Sequence, residues 1–267
     1  MTVKVLISTM REDNPKELIK KMNISTDAVL VNQCGFVEKS LFTIDDNQIN
    51  YICSDEIGLS RSRNMALQNA SFNDIGIIAD DDLRYVDNYA NLIETAFNDN
   101  PEYDIIAFQV EGINKHFKNY SDKSKKMNYI TSLKVSSVEI AFRVNKIKQS
   151  GIEFNELFGS GANYRMGEEN IFLYECLRKG LKIKYLPIKI ADLYIGDSSW
   201  FSGFNQKYFF DRGAVFTAMS RRWSTFLILQ FAIRRYRRYK SEMSLLTSIK
   251  IMLKGRSNYR SERLGEK

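Results

Sequence analysis

A short apolar run, Ile75 to Ala79 (IGIIA), ends directly on three adjacent carboxylates, Asp80-Asp81-Asp82. An apolar run without polar alternation marks a strand covered on both faces, as in parallel sheets sandwiched by helices. The charges then emerge at the strand's carboxyl end, where open α/β sheets bind their ligands. Three neighbouring carboxylates repel one another and cost stability unless a cation or strong donors compensate. A divalent metal is the natural compensation, and oxygen-only ligands favour Mg²⁺ or Mn²⁺, held through one or two carboxylates with substrate phosphates completing the shell. A purely structural reading makes the triplet an acidic loop start, with Asp82 capping the next helix.

The rest of the chain repeats the same grammar. Val3 to Ser8 (VKVLIS) reads as a first strand, followed by Asn14-Pro15, a helix cap with proline at the first helical position, and a helix over Glu17 to Met22. Ala28 to Asn32 (AVLVN) and Ile49 to Cys53 read as further strands, with a helix over Ser60 to Asn69 before the Ile75 run. This order predicts an α/β fold with an open, mostly parallel central sheet flanked by helices. Asp104 to Phe108, Val135 to Phe142 and Ile183 to Leu186 are expected to add strands, Glu168 to Lys179 a helix, and Asn114 to Asn128 a surface loop or flap. Beyond Trp200 the pattern turns helical and aromatic, so the chain divides into an α/β body, residues 1–205, and a basic, amphipathic helical extension, residues 206–267.

Charge follows the same division. The chain of 267 residues carries a net charge of +7, but residues 206–267 hold 15 Lys and Arg against 4 Asp and Glu. The body is therefore slightly acidic, and the extension is built to meet something anionic. Three scattered cysteines, Cys34, Cys53 and Cys176, form no CxxC pair and read as reduced core thiols of a cytoplasmic protein. No leader-like segment opens the sequence, and the apolar stretch Trp223 to Ile233 covers about half of a membrane span of roughly 20 residues.

Two other segments carry potential chemistry. In Gly58-Leu-Ser-Arg-Ser-Arg-Asn64, Ser60 is placed to cap a helix whose first turn gathers Arg61, Arg63 and Asn64, an arrangement suited to an anion, although on this segment alone an ordinary capped amphipathic helix with solvated arginines is the better reading. Gly167-Glu168-Glu169-Asn170 opens a helix after the glycine-rich Gly159-Ser-Gly-Ala-Asn163, so that a carboxylate reaching into a cleft is a candidate general base. Acidic residues in a first turn also serve the helix dipole alone. The only histidine, His116, lies in the polar 114–128 segment, leaving no Ser-His-Asp machinery, and no P-loop or strand-embedded GxGxxG occurs.

Together, the N-terminal VLIST strand, GLSRSRN, IIADDD and GEENIFLYECLRKGLKIKYLP resemble the family 2 glycosyltransferases of the GT-A fold, especially bacterial surface-polysaccharide enzymes, over roughly residues 3–205. The resemblance implies that Asp82 holds the metal bridging the donor diphosphate, with Asp80 and Asp81 near ribose and metal. It sets Arg63 and Asn64 on the nucleotide side and Thr9 and Gln33 at the nucleotide base. The final acid of the family's GED segment is its catalytic base and maps onto Glu169, with Glu168 beside it. Glu stands here where Asp is usual, which leaves the base between the two. The histidine that relatives carry before a Ser-Trp pair is absent from Ile195-Gly-Asp-Ser-Ser-Trp200, where either Asp197 substitutes or that ligand is missing, and Asn32-Gln-Cys34 replaces the customary acidic pair after the second strand.

The implied activity is an inverting transfer from a nucleotide-diphosphate sugar donor to a hydroxyl of a saccharide or lipid-linked saccharide acceptor. In the extension, Trp223, Phe226, Leu227, Leu229, Phe231 and Ile233 beside Arg234, Arg235, Arg237 and Arg238 read as an interfacial helix for an anionic membrane surface, with a packed helix as the alternative. That expectation sets the protein peripherally at the inner face of the cell membrane, with no nucleic-acid partner. A sugar-1-phosphate nucleotidyltransferase is disfavoured because residues 8–14 (STMREDN) contain no glycine. The competing class is a non-catalytic basic membrane- or nucleic-acid-binding protein on a degenerate GT-A scaffold.

Overall fold

The computed structural model describes residues 1–196 and 203–265, the side chains of 263–265 excepted. Asp197 and Trp200 lie outside the described residues. Ten strands form one sheet: β1 (Val3–Met10), β2 (Ala28–Gln33), β3 (Glu38–Ile44), β4 (Asn47–Ser54), β5 (Ile75–Asp80), β6 (Leu83–Tyr85), β7 (Ile105–Gly112), β8 (Lys125–Lys126), β9 (Ile140–Arg143) and β10 (Ile183–Leu193). The order across it is β3-β4-β2-β1-β5-β9-β7-β10-β6, with β8 beside β10. β4, β2, β1 and β5 run parallel to one another, as do β7 and β10, while β9 is inserted antiparallel between β5 and β7. The carboxyl ends of the parallel strands thus collect on one edge of the sheet.

Residue alternation decides which helices cover which face. Val5, Ile7, Ile77 and Ala79 point to the side packed by α1 (Pro15–Lys21) and α3 (Tyr89–Asn98), through Leu18, Ile19, Ile93 and Phe97. Leu6 and Ile78 point the other way, against Ala66 and Leu67 of α2 (Leu59–Gln68), Ile147 of α4 (Val144–Gln149) and Phe172 and Cys176 of α5 (Glu168–Arg178). Strands buried on both faces need continuous apolar runs, each Val, Leu or Ile contributing about 1.5–3 kcal/mol on full burial. Asn14 caps α1, its side chain accepting from the Glu17 N–H, as the Asn-Pro pair predicts.

Three expectations are corrected. Val135 to Phe142 is strand only over its last residues, β9, because Ser136-x-x-Glu139 forms a capping box around a 3₁₀ turn and Glu139 is buried against Lys118 and Tyr120. An additional strand, β3, pairs antiparallel with β4 at the sheet's edge. Its side chains are mostly exposed, so it carries no hydrophobic pattern to betray it. Asp82 caps no helix; it precedes β6, and its carbonyl accepts the Tyr194 N–H at 3.0 Å. The flap at 114–128 is irregular apart from β8. Strand β10 runs past Pro187 by way of a register shift between Tyr185 and Lys189.

Residues 206–265 fold into α6 (Gln206–Met219), α7 (Ser224–Tyr239) and α8 (Leu245–Gly265). Their core is shared with the body, since Phe158, Tyr164, Ile171 and Tyr174 join Phe209, Val215, Ile228 and Met252 in one cluster. At the crossing of α6 and α8 the backbones touch: a Cβ on Gly213 would lie 1.9 Å from the Met252 carbonyl, and one on Gly255 1.9 Å from that of Phe210. Gly213→Ala is expected to destabilise the fold by about 1–3 kcal/mol, lowering the melting temperature by roughly 2–4 °C for each kcal/mol. Gly196→Ala, which meets open space, serves as the control. Equal melting curves for the two variants would refute the close crossing.

Candidate active site

The site is organised by one guanidinium. Arg63, on the buried side of α2, is only 2% exposed. Its Nη1 donates to Glu168 Oε1 at 2.8 Å, and its Nη2 to Asp80 Oδ1 and Ser137 Oγ, each at 2.9 Å. Burial opposes the charge, but the Asp80 and Glu168 carboxylates outweigh it and hold the arginine's pKa above its ordinary value. Removing one partner from such a buried ion network typically costs 3–5 kcal/mol. The clamp ties the end of β5 to the first turn of α5 across the mouth of the sheet.

The other residues of the GLSRSRN segment are used structurally. Gly58, not Ser60, precedes the helix; Ser60 Oγ donates to the Phe158 carbonyl at 2.7 Å, correcting its expected role as a cap. Asn64 is a two-way staple, its Oδ1 accepting from Phe154 N at 2.7 Å and its Nδ2 donating to Phe154 O at 2.9 Å. Arg61 pairs with Glu156 at the surface. Gln33 Oε1 accepts the Gly58 N–H at 2.6 Å and so holds the loop that leads into α2. Thr9, 4% exposed, donates its hydroxyl to Asp81 Oδ2. Thr9, Gln33, Arg63 and Asn64 therefore each join one segment to another.

The carboxylate triplet divides its duties. Asp80 answers Arg63 and Asp81 answers Thr9, whereas Asp82 lies exposed next to both. Partial desolvation, followed by the charges of Asp80 and Asp81, pushes the Asp82 carboxyl up to about 6. Its charge lacks a strong compensating partner, which suits a hard cation completed by phosphate oxygens. Among the described residues, no group of three Asp, Glu, His or Cys side chains converges to hold a metal without such help.

At the other end of the clamp, Gly167 opens α5 with φ +85°, and a Cβ there would meet Val215 at 2.7 Å. A side chain fits neither the backbone nor the space, so the Glu168-Glu169 turn is seated directly on α6. Glu168 is taken by Arg63; Glu169 is half-buried and accepts from Asn170 Nδ2 at 3.1 Å. Burial first, and then the neighbouring Glu168 charge, push the Glu169 carboxyl up to about 8. Two adjacent acids are thereby given different tasks by their surroundings. Sequence reasoning missed Ser137 and Asn170, although Asn170 adjoins the acidic pair in the sequence. His116 lines a separate cavity of about 300 Å³ beside Gln109, Glu111 and Lys189.

The solved structure of S. aureus TarS residues 1–349 in complex with UDP-GlcNAc superposes with a TM-score of 0.62 at 13% identity, covering 91% of this chain and 74% of TarS 1–349. The chain has the GT-A fold. Another structure of S. aureus TarS 1–349 matches at TM-score 0.59 and 14% identity, covering 99% of this chain and 92% of that one. A longer S. aureus TarS structure matches at 0.58 and 14%, covering 88% of this chain and 44% of that one. No protein-family model and no curated protein sequence matches the chain. Within the GT-A fold, Arg63 joins the Asp80 end of β5 to the opening of α5.

Because Glu169 binds its proton more tightly when folded than its ordinary value of 4.5 allows, the resulting stability is present below about pH 4.5 and is lost as the pH rises through about 8. Glu169→Gln is expected to melt with the wild type near pH 4.5 and above it at pH 9, the gap opening between those values. Parallel Tm profiles across that range would show that the carboxyl is not perturbed.

Proposed function

We propose that the chain is an inverting glycosyltransferase of family 2, moving a sugar from a nucleotide-diphosphate donor to a hydroxyl of a lipid-linked saccharide acceptor in surface-polysaccharide synthesis. The observation that carries the reading is the division of labour around Arg63: one end of the clamp presents Asp82 uncompensated, the other presents Glu169 as an acid of raised pKa. The GT-A fold and the UDP-GlcNAc bound to TarS support the donor class.

In this reading Glu169 accepts the proton of the acceptor hydroxyl. A base with a pKa near the working pH combines sufficient ionisation with the strength to take that proton. The freed oxygen attacks the anomeric carbon from the face opposite the nucleotide; the bond from that carbon to the diphosphate oxygen breaks, and its electron pair leaves with the diphosphate. Asp82 and Asp80 would hold Mn²⁺ or Mg²⁺, which when bound neutralises charge on the departing diphosphate. Arg63 fixes the α5 turn, and with it the position of Glu169, while Thr9 orients Asp81 beside the donor. Thr9, Gln33, Asn64 and Asp81 shape the nucleotide side through the segments they hold.

Asp82→Ala and Glu169→Ala are each expected to reduce sugar transfer by about 10²–10⁴-fold, the range for loss of a positioned acid or base. Calorimetric titration with UDP, GDP, CMP and dTDP, with and without Mn²⁺, should give metal-dependent binding of one of them. Full activity in both variants, or no nucleotide binding by folded protein, would favour the degenerate, non-catalytic scaffold.

The membrane expectation keeps a physical basis in α7. Trp223, Phe226, Leu229 and Ile233 are exposed on one side of the helix, while Phe231 and Leu227 turn inward toward α6. Among the described residues no helix is long and apolar enough to cross a membrane. The exposed stripe, flanked by arginines, suits shallow insertion at an anionic surface, each basic residue adding about 1 kcal/mol. The protein is expected to sediment with vesicles of anionic phospholipid and to be released by salt, and Phe226→Ser with Ile233→Ser should weaken that binding. Recovery in the supernatant regardless of vesicle charge would exclude it.

A further inference from the structure

Between the first turn of α5 and the facing sides of α6 and α7 lies a cavity of about 230 Å³ with aromatic walls and a rim of arginines. The helix spacing creates it. Leu227, Phe231, Arg234 and Arg238 recur at intervals of three and four along one stripe of α7, opposite Tyr208 and Arg212, which are four apart on α6. Arg212 lies over the rings of Tyr208 and Phe231, 5.2 and 5.4 Å from their centroids, and donates from Nη2 to Tyr208 Oη at 3.2 Å. Its Nε is buried with no hydrogen-bond partner.

The arginines at this rim are closer to one another than to any ion-pair partner among the described residues. Among the described residues no ion pair reaches Arg212, Arg234, Arg235 or Arg238. The neighbouring carboxylate on α6, Asp211, is committed elsewhere: it is 1% exposed, pairs with Lys207 at 2.6 Å and accepts from Arg165 N at 3.1 Å. Burial, reinforced by Arg238, Arg234 and Arg212, lowers the pKa of Arg235, the mark of a cationic cluster that lacks its counter-charge.

The cavity also adjoins the candidate base. Asn170 forms part of its wall and donates to Glu169 Oε1 at 3.1 Å, and Arg212 is near enough to stabilise the Glu169 carboxylate. Guanidinium forks match the paired oxygens of phosphate, and several of them around one volume demand more than one negative charge. The aromatic walls offer apolar surface beside that charge, as a phosphate ester joined to a sugar ring or a lipid requires.

We propose that this arginine cavity binds a phosphate or pyrophosphate group carried by the acceptor, setting the acceptor hydroxyl beside Glu169. The proposal rests on the glycosyltransferase reading above and extends it to the acceptor's chemical class. The phosphate has two possible origins, the diphosphate of a lipid-linked saccharide or the diesters of a phosphate-linked chain.

The test is calorimetric titration of the full chain with inorganic pyrophosphate and, separately, with glycerol phosphate, in EDTA, so that the metal-dependent donor side does not take up the probe. Wild type and Asp82→Ala should bind alike, whereas Arg235→Gln with Arg238→Gln should weaken binding at least tenfold, circular dichroism showing the fold retained. Stronger binding of pyrophosphate assigns the diphosphate-linked acceptor, and stronger binding of glycerol phosphate the diester chain. Binding of neither probe, or equal binding by the arginine double variant, overturns the site. The two readings also fail separately: sugar transfer with an unchanged acceptor KM in the double variant removes the cavity's role and leaves the glycosyltransferase standing. Arginine-dependent pyrophosphate binding in a protein that transfers no sugar does the reverse.

Discussion

A buried arginine held between two acids is the constraint on which this architecture turns. Arg63 comes from a helix, Asp80 from the end of a central strand and Glu168 from the opening of another helix, so three separate segments meet in one network. A guanidinium this deeply buried is tolerable because both carboxylates and the Ser137 hydroxyl receive the N–H groups of its two terminal nitrogens. Lysine, a point charge without the planar fork, cannot reproduce that geometry. With Asp80 and Glu168 both committed to Arg63, their chain neighbours Asp82 and Glu169 are left without that partner, and both carboxyls are pushed up.

The fold was largely legible in the sequence because its central strands are buried on both faces and must be written as uninterrupted apolar runs. VKVLIS, AVLVN and IGIIA needed no context to be read. What escaped was structure specified by other means. β3 sits at an edge where water and charge are acceptable, so EKSLFTI shows no periodicity. The 3₁₀ turn before β9 depends on Glu139 finding Lys118 and Tyr120 far along the chain. The carboxyl end of β10 is drawn into the sheet by β7 and β6 despite its proline.

At the site, residue types and order were visible but the division of labour was not. The segment around Arg63 reads as an anion-binding turn, yet its side chains grip Phe154, Phe158, Glu156 and the two acids. Spacing alone cannot tell a guanidinium that awaits a ligand from one already occupied. The distinction between Glu168 and Glu169 likewise rests on which of two adjacent acids faces Arg63, a matter of helix phase set by Gly167 against Val215. In the sequence Arg234, Arg235 and Arg238 belong to an interfacial helix for an anionic membrane surface; their convergence with Arg212 is a property of helix packing that spacing does not show.

The backbone contact between α6 and α8 gives the C-terminal helices a mechanical character. Helices separated by side chains can slide past one another at little cost; helices touching through Gly213 and Gly255 behave as one beam. Since the α5 turn that bears Glu169 is seated on α6 through Gly167 and Val215, the place of that carboxylate is set by the same close-packed beam rather than by α5 alone.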